Sequence, residues 1–212
     1  MLIDYKKAIH PDCGKKVKIH KDIVMTPFYT EKFCDELVKM CKFYNNKFSP
    51  HIYYINKFNN KSLSQTSPWD TLNFSRISLL LFEEFYRHYK KHICPVLEKH
   101  FLPETIAGWF SPMIIKYSRQ GQHVTLHHDT SLFTLNVKLN TDYEGCDVEF
   151  PRQKWDNKKV PKGWCMIWPS RVTHPHRATP LKKGTKYTLS SWTHPIAWDP
   201  SQMGGSIMRD ES

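Results

Sequence analysis

The chain has 212 residues, enough for one domain with a sizeable core, and its 40% hydrophobic and 24% charged residues are ordinary globular proportions. This composition excludes collagen-like, coiled-coil and disordered chains. Aromatic residues make up 14% of the chain, which favours a β-rich core. The net charge of +11 would suit an acidic or polyanionic partner. Because the lysines are scattered in twos and threes, we expect a solvated surface rather than a nucleic-acid interface.

The cysteines and the apolar segments bear on the compartment. None of the six cysteines forms a CxxC pair, so the sequence predicts neither a structural zinc site nor a disulfide framework. The amino terminus, MLIDYKKAIH, carries charges where a signal peptide would be apolar. The longest apolar run, ISLLLF, is too short to span a bilayer. We therefore expect a soluble chain without a membrane span, whose compartment is unknown.

The first half of the chain predicts helices behind a short arm. Residues 1–25 show little periodicity and many lysines, which indicates an arm or an edge strand. A helix is predicted over 30–44, with Thr30 as its N-cap and apolar side chains repeating along one face. A second helix is predicted over 75–100, where Pro95 should kink or end it.

The second half of the chain alternates with the two-residue period of strands. Short strands are predicted in WFSPMIIKYS, VTLHH, FTLNVKLN, CDVEF, GWCMIWP, THPHRAT and KYTLSSWTH. The turn signals between them are RQGQ, DYEG, WDNKKVPKG and PLKKGT. Helices followed by many short antiparallel strands predict an α+β domain of the sandwich or jelly-roll kind, with N-terminal flanking helices. We place this domain at 26–195 and a C-terminal tail at 196–212.

The stretch TLHHDTSLFTLN contains candidate metal ligands. His127 and Asp129 are two residues apart, so on a strand they project from one face while His128 projects from the other. Downstream, RVTHPHRAT supplies His174 and His176, which share a face, and strand parity does not choose between them. Two histidines and one carboxylate that leave open positions suit non-haem Fe(II).

A lysine downstream adds to this donor set. Lys186 lies ten residues after His176, across PLKKGT, so the two can sit on facing antiparallel strands. A cation there could pair with the far carboxylate of a dicarboxylate that chelates the iron at its other end. Taken alone, Lys186 is typical of an ordinary exposed strand lysine.

Several stretches match one family in order: FCDELV, HHDTSLFTLNVKLN, DYEGCDVEF, KGWCMIWPSRVTHPH and KKGTKYTLSSW. The chain resembles the catalytic domain of the procollagen lysyl hydroxylases, within the Fe(II)- and 2-oxoglutarate-dependent prolyl/lysyl hydroxylase superfamily. The resemblance covers about 22–195. It implies a double-stranded β-helix, or jelly roll, that holds Fe(II) with His127, Asp129 and His176. It thereby makes the second histidine of HPH the ligand.

The same resemblance implies the rest of the site and the reaction. Lys186 would bind 2-oxoglutarate, and Tyr117 and Asn136 would line its site, because a hydroxyl and an amide both donate to carboxylates. The enzyme would be a dioxygenase that hydroxylates lysine in collagen-like peptides, using O2 and ascorbate and releasing succinate and CO2. It further implies a collagen-like polypeptide partner, a homodimer, and the secretory pathway or endoplasmic reticulum as compartment.

Departures from the family pattern keep other functions open. The chain has GTKY where lysyl hydroxylases usually have GTRY, and Lys cannot make the bidentate fork of Arg. Collagen prolyl 4-hydroxylases resemble this chain in using Lys there, so a prolyl 4-hydroxylase-like enzyme is the first alternative. SPWDTLNF follows the family only loosely, which puts a co-substrate role for Asn73 in doubt. A basic nucleic-acid-directed oxygenase or binding protein, a catalytically silent interaction module and a zinc hydrolase are the remaining alternatives.

Overall fold

A computed structural model of the protein describes residues 5–50, 69–101, 108–109 and 112–194. The strands, in chain order, are β1 (Lys18–His20), β2 (Ile23–Pro27), β3 (Ser49–Pro50), β4 (Asp70–Asn73), β5 (Gly108–Trp109), β6 (Met113–Tyr117), β7 (Val124–His127), β8 (Phe133–Lys138), β9 (Tyr143–Gly145), β10 (Val148–Phe150), β11 (Trp155–Asp156), β12 (Trp164–Pro169), β13 (His176–Ala178), β14 (Leu181–Gly184) and β15 (Lys186–His194). The helices are α1 (Glu31–Phe43), α2 (Phe74–Ile77), α3 (Leu79–His88) and α4 (Cys94–His100).

Antiparallel strands form two sheets that share an interior. The larger sheet has the order β1-β2-β12-β8-β15-β6-β4-β3, with β5 beside β15. The smaller sheet has the order β11-β10-β13-β7, and β9 and β14 form a separate ribbon. Side chains of both sheets pack together, as Trp168 of β12 does with Phe150 of β10 and Ile115 of β6 with Ala178 of β13. This is the two-sheet arrangement of a jelly roll.

Strand β8 shows how the larger sheet separates two environments. Leu135 and Val137 are fully buried in the apolar core that the helices share. Thr134 and Asn136 are also buried, but they hydrogen-bond to other polar side chains. Because successive strand residues point to opposite faces, one face of β8 serves the helix-side core and the other a polar interior between the sheets.

Helix α1 forms as the sequence predicts. The hydroxyl of Thr30 accepts a hydrogen bond from the backbone N–H of Phe33 at 3.3 Å, which satisfies one of the unpaired donors of the first turn. Phe33, Leu37 and Cys41 follow at four-residue spacing and are buried against the larger sheet. Full burial of a leucine such as Leu37 contributes about 1.5–3 kcal/mol.

The prediction of one continuous helix over 75–100 is wrong, because the helical segment is interrupted. Ser78 has extended backbone angles, φ −169° and ψ 130°, that separate α2 from α3. Its hydroxyl accepts a hydrogen bond from the N–H of Leu81, so Ser78 starts a new helix instead of continuing the old one. Pro95 does not end the helical run, because it lies in the first turn of α4, directly after a π-helical turn at Tyr89–Ile93. A missing N–H costs little there.

The predicted boundary between an arm and the domain, at residue 25, falls inside β2. Ile23 and Val24 of this strand are fully buried, and β2 pairs with β12 from Val24 to Pro27. The interpretation of 1–25 as a separate arm is therefore corrected for this part, because β1 and β2 extend the larger sheet. The alternative prediction of an edge strand is confirmed for β1, which lies at the end of that sheet. The predicted tail, 196–212, lies outside the described residues.

Three predicted turns contain strands. The DYEG stretch holds β9, the PLKKGT stretch holds β14, and these two pair with each other. The WDNKKVPKG stretch holds β11. The error has a physical reason, because β14 is exposed after Leu181 and so lacks an apolar alternation. Gly145 and Gly184, with φ of +74° and +80°, also give these strands the composition of turns.

All six cysteines are free thiols, and five of them are buried. Burial raises the pKa of Cys34 and of Cys41 to about 12, so both behave as inert core residues of α1. Among the described residues, no helix is long and apolar enough to cross a bilayer.

Candidate active site

Three of the predicted site residues meet where β7 and β13 pair. His127 is the last residue of β7, Asp129 follows two residues later, and His176 at the start of β13 is the register partner of His127. One ligand atom from each of the three lies within 4.8 Å of the other two. The ring centroids of the two histidines are 4.4 Å apart. Strand pairing thus brings side chains that are 47 to 49 residues apart in sequence to one point.

Backbone hydrogen bonds fix which nitrogen of each histidine faces this cluster. Nδ1 of His127 lies 2.8 Å from the carbonyl oxygen of Thr125, and Nδ1 of His176 lies 3.1 Å from that of His174. Because a carbonyl oxygen only accepts, each Nδ1 donates its proton and each ring turns Nε2 towards Asp129. The Nε2 atoms lie 3.5 Å and 3.7 Å from the two carboxylate oxygens. Imidazoles that ligate metals are oriented by a second hydrogen bond of this kind.

Asp129 is held by β8 and by the end of β12. The hydroxyl of Thr134 lies 2.5 Å from Oδ2 of Asp129, and it also lies 2.7 Å from the hydroxyl of Ser170. The backbone N–H of Asp129 donates to the carbonyl of Ser170 at 3.1 Å. The sequence prediction missed Thr134. Its signal was available in β8, where the polar residues Thr134 and Asn136 share the face opposite Leu135.

Burial and the neighbouring side chains shift the pKa of each residue in the cluster. Burial disfavours the charge of Asp129, but the hydrogen bond from His127, the charge of His176 and the hydroxyl of Thr134 outweigh it and lower the pKa of Asp129. Burial also opposes a charge on His127, but the hydrogen bond and the charge of Asp129 outweigh it and raise the pKa of His127. The pKa of His176 is lowered, chiefly by burial. The cluster therefore keeps an ionised carboxylate beside two imidazoles.

Other candidates lie away from the cluster. His128 is exposed, in keeping with the predicted opposite face. His174 is buried, and its ring nitrogens lie 2.9 Å from the Thr173 hydroxyl and 2.8 Å from the Lys21 carbonyl. Both nitrogens of His174 are thus already bonded within the protein, which separates it from His176. Asn73 lies on β4, which is separated from β15 by β6.

Lys186 is buried in the interior at the start of β15. Its side chain is 2% exposed, and its ammonium donates to the carbonyl of Cys146 at 2.6 Å. No carboxylate of the described residues forms an ion pair with it. Burial lowers the pKa of Lys186, although the nearby Cys146 and Asp147 oppose this. A buried cation without an anionic partner is costly, and a carboxylate ligand would relieve that cost.

Tyr117 and Asn136 both reach the polar interior. Tyr117 on β6 is the register partner of Lys186, whose ammonium lies 5.3 Å from the tyrosine ring centroid. Asn136 on β8 is the partner of Ser190 and donates to its hydroxyl at 2.8 Å. The carbonyl oxygen of the Asn136 amide accepts from Thr188 at 2.9 Å. Its NH2 group has a second hydrogen to donate.

The residues present fit both Fe(II) and a small dicarboxylate. Two imidazoles and one carboxylate are the donors of non-haem iron sites with open positions. The interior also holds a buried ammonium and, on neighbouring strands, the polar side chains Thr134, Asn136, Thr188 and Ser190. Such an interior can receive one carboxylate at the metal and another at Lys186.

Comparison with known proteins gives the family. Residues 112–194, which include every residue of the cluster, match the sequence model described as the 2OG-Fe(II) oxygenase superfamily. By this match the chain carries a 2OG-Fe(II) oxygenase domain. Its predicted cofactors, Fe(II), 2-oxoglutarate and O2, are those of the superfamily, and ascorbate is typical of it. The prediction of a dioxygenase family is confirmed.

Curated relatives and solved structures agree with this assignment. Procollagen-lysine,2-oxoglutarate 5-dioxygenase 2 of Homo sapiens is 30% identical over 82% of this chain and 24% of its own length. Procollagen-lysine,2-oxoglutarate 5-dioxygenase 1 of Bos taurus is 30% identical over 91% and 26%. The chain thus spans about a quarter of the length of these relatives. The predicted resemblance to lysyl hydroxylases is confirmed.

The solved structures establish the fold. A Pseudomonas putida prolyl-4-hydroxylase superposes with a TM-score of 0.63 at 12% identity, covering 86% of this chain and 95% of that one. A viral collagen prolyl hydroxylase from Paramecium Bursaria Chlorella virus-1 superposes with a TM-score of 0.55 at 16% identity, covering 86% and 97%. The predicted jelly-roll fold is therefore confirmed.

Proposed function

We propose that this chain is an Fe(II)- and 2-oxoglutarate-dependent hydroxylase that converts lysine residues of collagen-like polypeptides to hydroxylysine, with release of succinate and CO2. The observation that carries the proposal is the convergence of His127, Asp129 and His176 in a jelly roll that also buries Lys186. Lysine as the target is supported by the procollagen-lysine dioxygenases, which are 30% identical to this chain.

His127, Asp129 and His176 would hold the iron through two Nε2 atoms and one carboxylate oxygen. When bound, Fe(II) supplies the activation of O2 with 2-oxoglutarate that oxidises an unactivated C–H bond. The protein orients these ligands before metal binding, because the Nδ1 atoms of both histidines are already engaged by carbonyl oxygens. The proton that Asp129 attracts to His127 would leave as the metal binds.

Neighbouring side chains keep the ligands in place and water out. Thr134 donates to Asp129 and holds the carboxylate turned towards the histidines. On the far side, Trp168 and Phe150 pack against the ring of His176, with centroid distances of 5.0 Å and 5.5 Å. Both aromatic side chains are almost completely buried, so they limit ring rotation and exclude water from that side.

Lys186 would bind the far carboxylate of 2-oxoglutarate. A carboxylate would accept a charge-assisted hydrogen bond from its ammonium and would raise the pKa that burial lowers. The hydroxyl of Tyr117 and the NH2 group of Asn136 would donate to the same ligand. Lys186 and Tyr117 lie opposite each other on paired strands, which favours a shared ligand.

Proline is a second candidate target. Lys186 in GTKY resembles the collagen prolyl 4-hydroxylases, whereas lysyl hydroxylases usually carry Arg at that position. Lysine remains the first candidate target, because procollagen-lysine dioxygenases are 30% identical to this chain.

The proposal extends to the partners and the compartment. A collagen-like polypeptide would be the substrate and the endoplasmic reticulum the compartment, because the relatives are procollagen-lysine dioxygenases. The chain would form a homodimer, as the resemblance to the lysyl hydroxylases implies. Light scattering of the purified chain tests the dimer. Imaging of a tagged chain tests the compartment.

The test uses purified protein with Fe(II), 2-oxoglutarate and ascorbate. Three collagen-like peptides that differ at one position, with lysine, proline or norleucine there, are compared for succinate release and for the gain of one oxygen atom by mass spectrometry. We expect peptide-dependent succinate and hydroxylation with lysine, and neither with His127→Ala protein. Turnover of only the proline peptide would establish the second candidate. Absence of peptide-dependent succinate with lysine and proline alike would contradict the proposal.

A further inference from the structure

An open groove of about 800 Å³ lies beside the smaller sheet, between its edge and the edge of the larger sheet. Its walls include Lys18 of β1 and Trp155 of β11. In the described part of the chain, β1 and β11 are the terminal strands of their sheets. Terminal strands present unpaired main-chain N–H and C=O groups, which are templates for an extended peptide. Trp164 completes the walls, and we name the site the tryptophan groove.

The two tryptophans are partly buried and partly open to the groove. Trp155 packs on Phe150 and stacks on His20, with an interplanar angle of 26° for the stacked pair. Trp164 packs on the core between the sheets. Indole faces fixed in this way suit proline rings and other apolar side chains of an extended polypeptide.

The rim of the groove carries an excess of positive charge. Its lysines are Lys18, Lys154, Lys158 and Lys159. Its two acids are already engaged, because Glu149 bonds Arg177 at 2.7 Å and Asp156 lies 3.3 Å from Lys158. Three of the lysines therefore have no carboxylate partner among the described residues.

Two cation–π contacts hold ammonium groups over Trp164, which forms part of the groove wall. The ammonium groups of Lys16 and Lys18 lie 5.8 Å and 5.3 Å from the ring centroid of Trp164. Cation–π contacts of this kind reduce the freedom of long side chains, so part of the cost of ordering a lysine for a ligand is met in advance. The positive charge of the rim favours a ligand that carries carboxylates.

The groove adjoins the candidate iron site through one side chain. Phe150 lines the groove, and its ring lies 5.5 Å from the ring of His176. The same ring lies 5.8 Å from that of Trp155. Phe150 is fully buried, so the groove and the candidate iron site lie on opposite sides of its ring. A polypeptide whose target residue reaches the iron would have to pass around this ring to continue into the groove.

We propose that the tryptophan groove binds an acidic, extended segment of the polypeptide substrate that flanks the oxidised residue. This inference rests on the proposed function and adds a recognition rule to it, namely glutamate or aspartate near the target. The terminal strands favour a peptide over a single-stranded nucleic acid, because main-chain pairing has no counterpart in a sugar-phosphate backbone.

Binding is measured on the full chain by fluorescence anisotropy, without turnover, using labelled collagen-like peptides that carry one target lysine. One peptide has glutamates on either side of the target, and its partner has glutamines. The variant Lys18→Glu/Lys159→Glu reverses two groove charges. Its control, Lys32→Glu/Lys39→Glu, makes the same change in net charge at exposed positions of α1. A third variant, Trp155→Leu, removes one indole face.

We expect the groove variant to weaken binding of the glutamate peptide about tenfold and the α1 control to leave it unchanged. The glutamine peptide should bind more weakly and respond to neither variant. Trp155→Leu should weaken both peptides, because it removes apolar contact and no charge. Equal binding of the two peptides, or equal effects of the two lysine pairs, would overturn the proposal.

Three other outcomes distinguish the ligands and the two proposals. If a single-stranded oligonucleotide competes with the glutamate peptide at lower concentration and in a Lys18- and Lys159-dependent way, the groove serves nucleic acid and the peptide proposal is wrong. If charge-dependent binding persists while no peptide yields succinate, the groove stands and the proposed reaction fails. If lysine is hydroxylated with the same KM for the glutamate and glutamine peptides, and this KM is unchanged in the groove variant, the proposed reaction is supported and the groove proposal is wrong.

Discussion

Replacing Thr134 by valine is expected to weaken metal binding while leaving the protein folded. The hydroxyl of Thr134 is buried and lies 2.5 Å from an oxygen of Asp129, so it is a charge-assisted hydrogen bond donor to a proposed ligand. Such bonds contribute about 1.5–3 kcal/mol, which corresponds to a loss of about 10- to 150-fold in a binding constant. Valine has nearly the same shape, and the unpaired hydroxyl of Ser170 should cost only about 1 kcal/mol of stability.

The assay is calorimetric titration of metal-free protein with Mn(II), a redox-stable stand-in for Fe(II), with chemical denaturation to check folding. Thr134→Ser keeps the donor and should restore affinity to within about threefold of the original. The loss of metal affinity in the Thr134→Val protein should be larger at acidic pH, because the Thr134 hydroxyl is one of the groups that lower the pKa of Asp129. Folded valine protein with unchanged affinity would refute the argument that Thr134 orients a ligand.

Four further substitutions test the remaining assignments. His128→Ala is expected to retain metal and His127→Ala to lose it, because His127 faces Asp129 and His128 is exposed on the opposite face. Metal content after dialysis decides, and the reverse pattern would contradict the strand assignment. Lys186→Met should weaken 2-oxoglutarate binding at least about a hundredfold, yet raise the melting temperature of the ligand-free protein by about 2–4 °C. Burial lowers the pKa of Lys186, so in the original protein its charge penalty is full below the folded pKa and is relieved as pH rises towards the unfolded pKa. The gain in melting temperature of the Lys186→Met protein should therefore be smaller at alkaline pH. A melting temperature below that of the original protein at neutral pH would count against this reasoning. His174→Ala should cost about 2–4 kcal/mol in urea unfolding without loss of metal affinity, since both ring nitrogens are bonded inside the protein; a loss of metal would make His174 part of the site.

The parts of the fold that were predictable are those whose burial alternates with the period of the element. Helix α1 was predictable because Thr30 is a good cap and Phe33, Leu37 and Cys41 repeat along one face. The break at Ser78 was not, since a serine inside an apolar helical pattern can cap a new helix or continue the old one, and tertiary packing decides. Strand β14 was missed because its stability comes from pairing with β9, which leaves no apolar pattern in sequence.

The candidate site was also predictable from the sequence only in part. The joint placement of His127 and Asp129 follows from the two-residue strand period alone. The choice of His176 over His174 required the resemblance, because it depends on a distant contact: His174 bonds the Lys21 carbonyl, 153 residues away. Thr134 escaped notice because a threonine on a strand is ordinary until its partner across the interior is known.

The alternation along β8 sorts mutational damage into two kinds. At Leu135 and Val137, truncation to alanine would open a cavity in the helix-side core and cost about 2–4 kcal/mol, so cells would hold less enzyme of normal specific activity. At Thr134 and Asn136, exchange for an apolar residue of equal volume would leave the yield nearly intact and impair each molecule. Enzyme abundance and turnover per molecule can thus vary independently along four consecutive residues, 134–137, with the odd positions governing abundance and the even positions turnover.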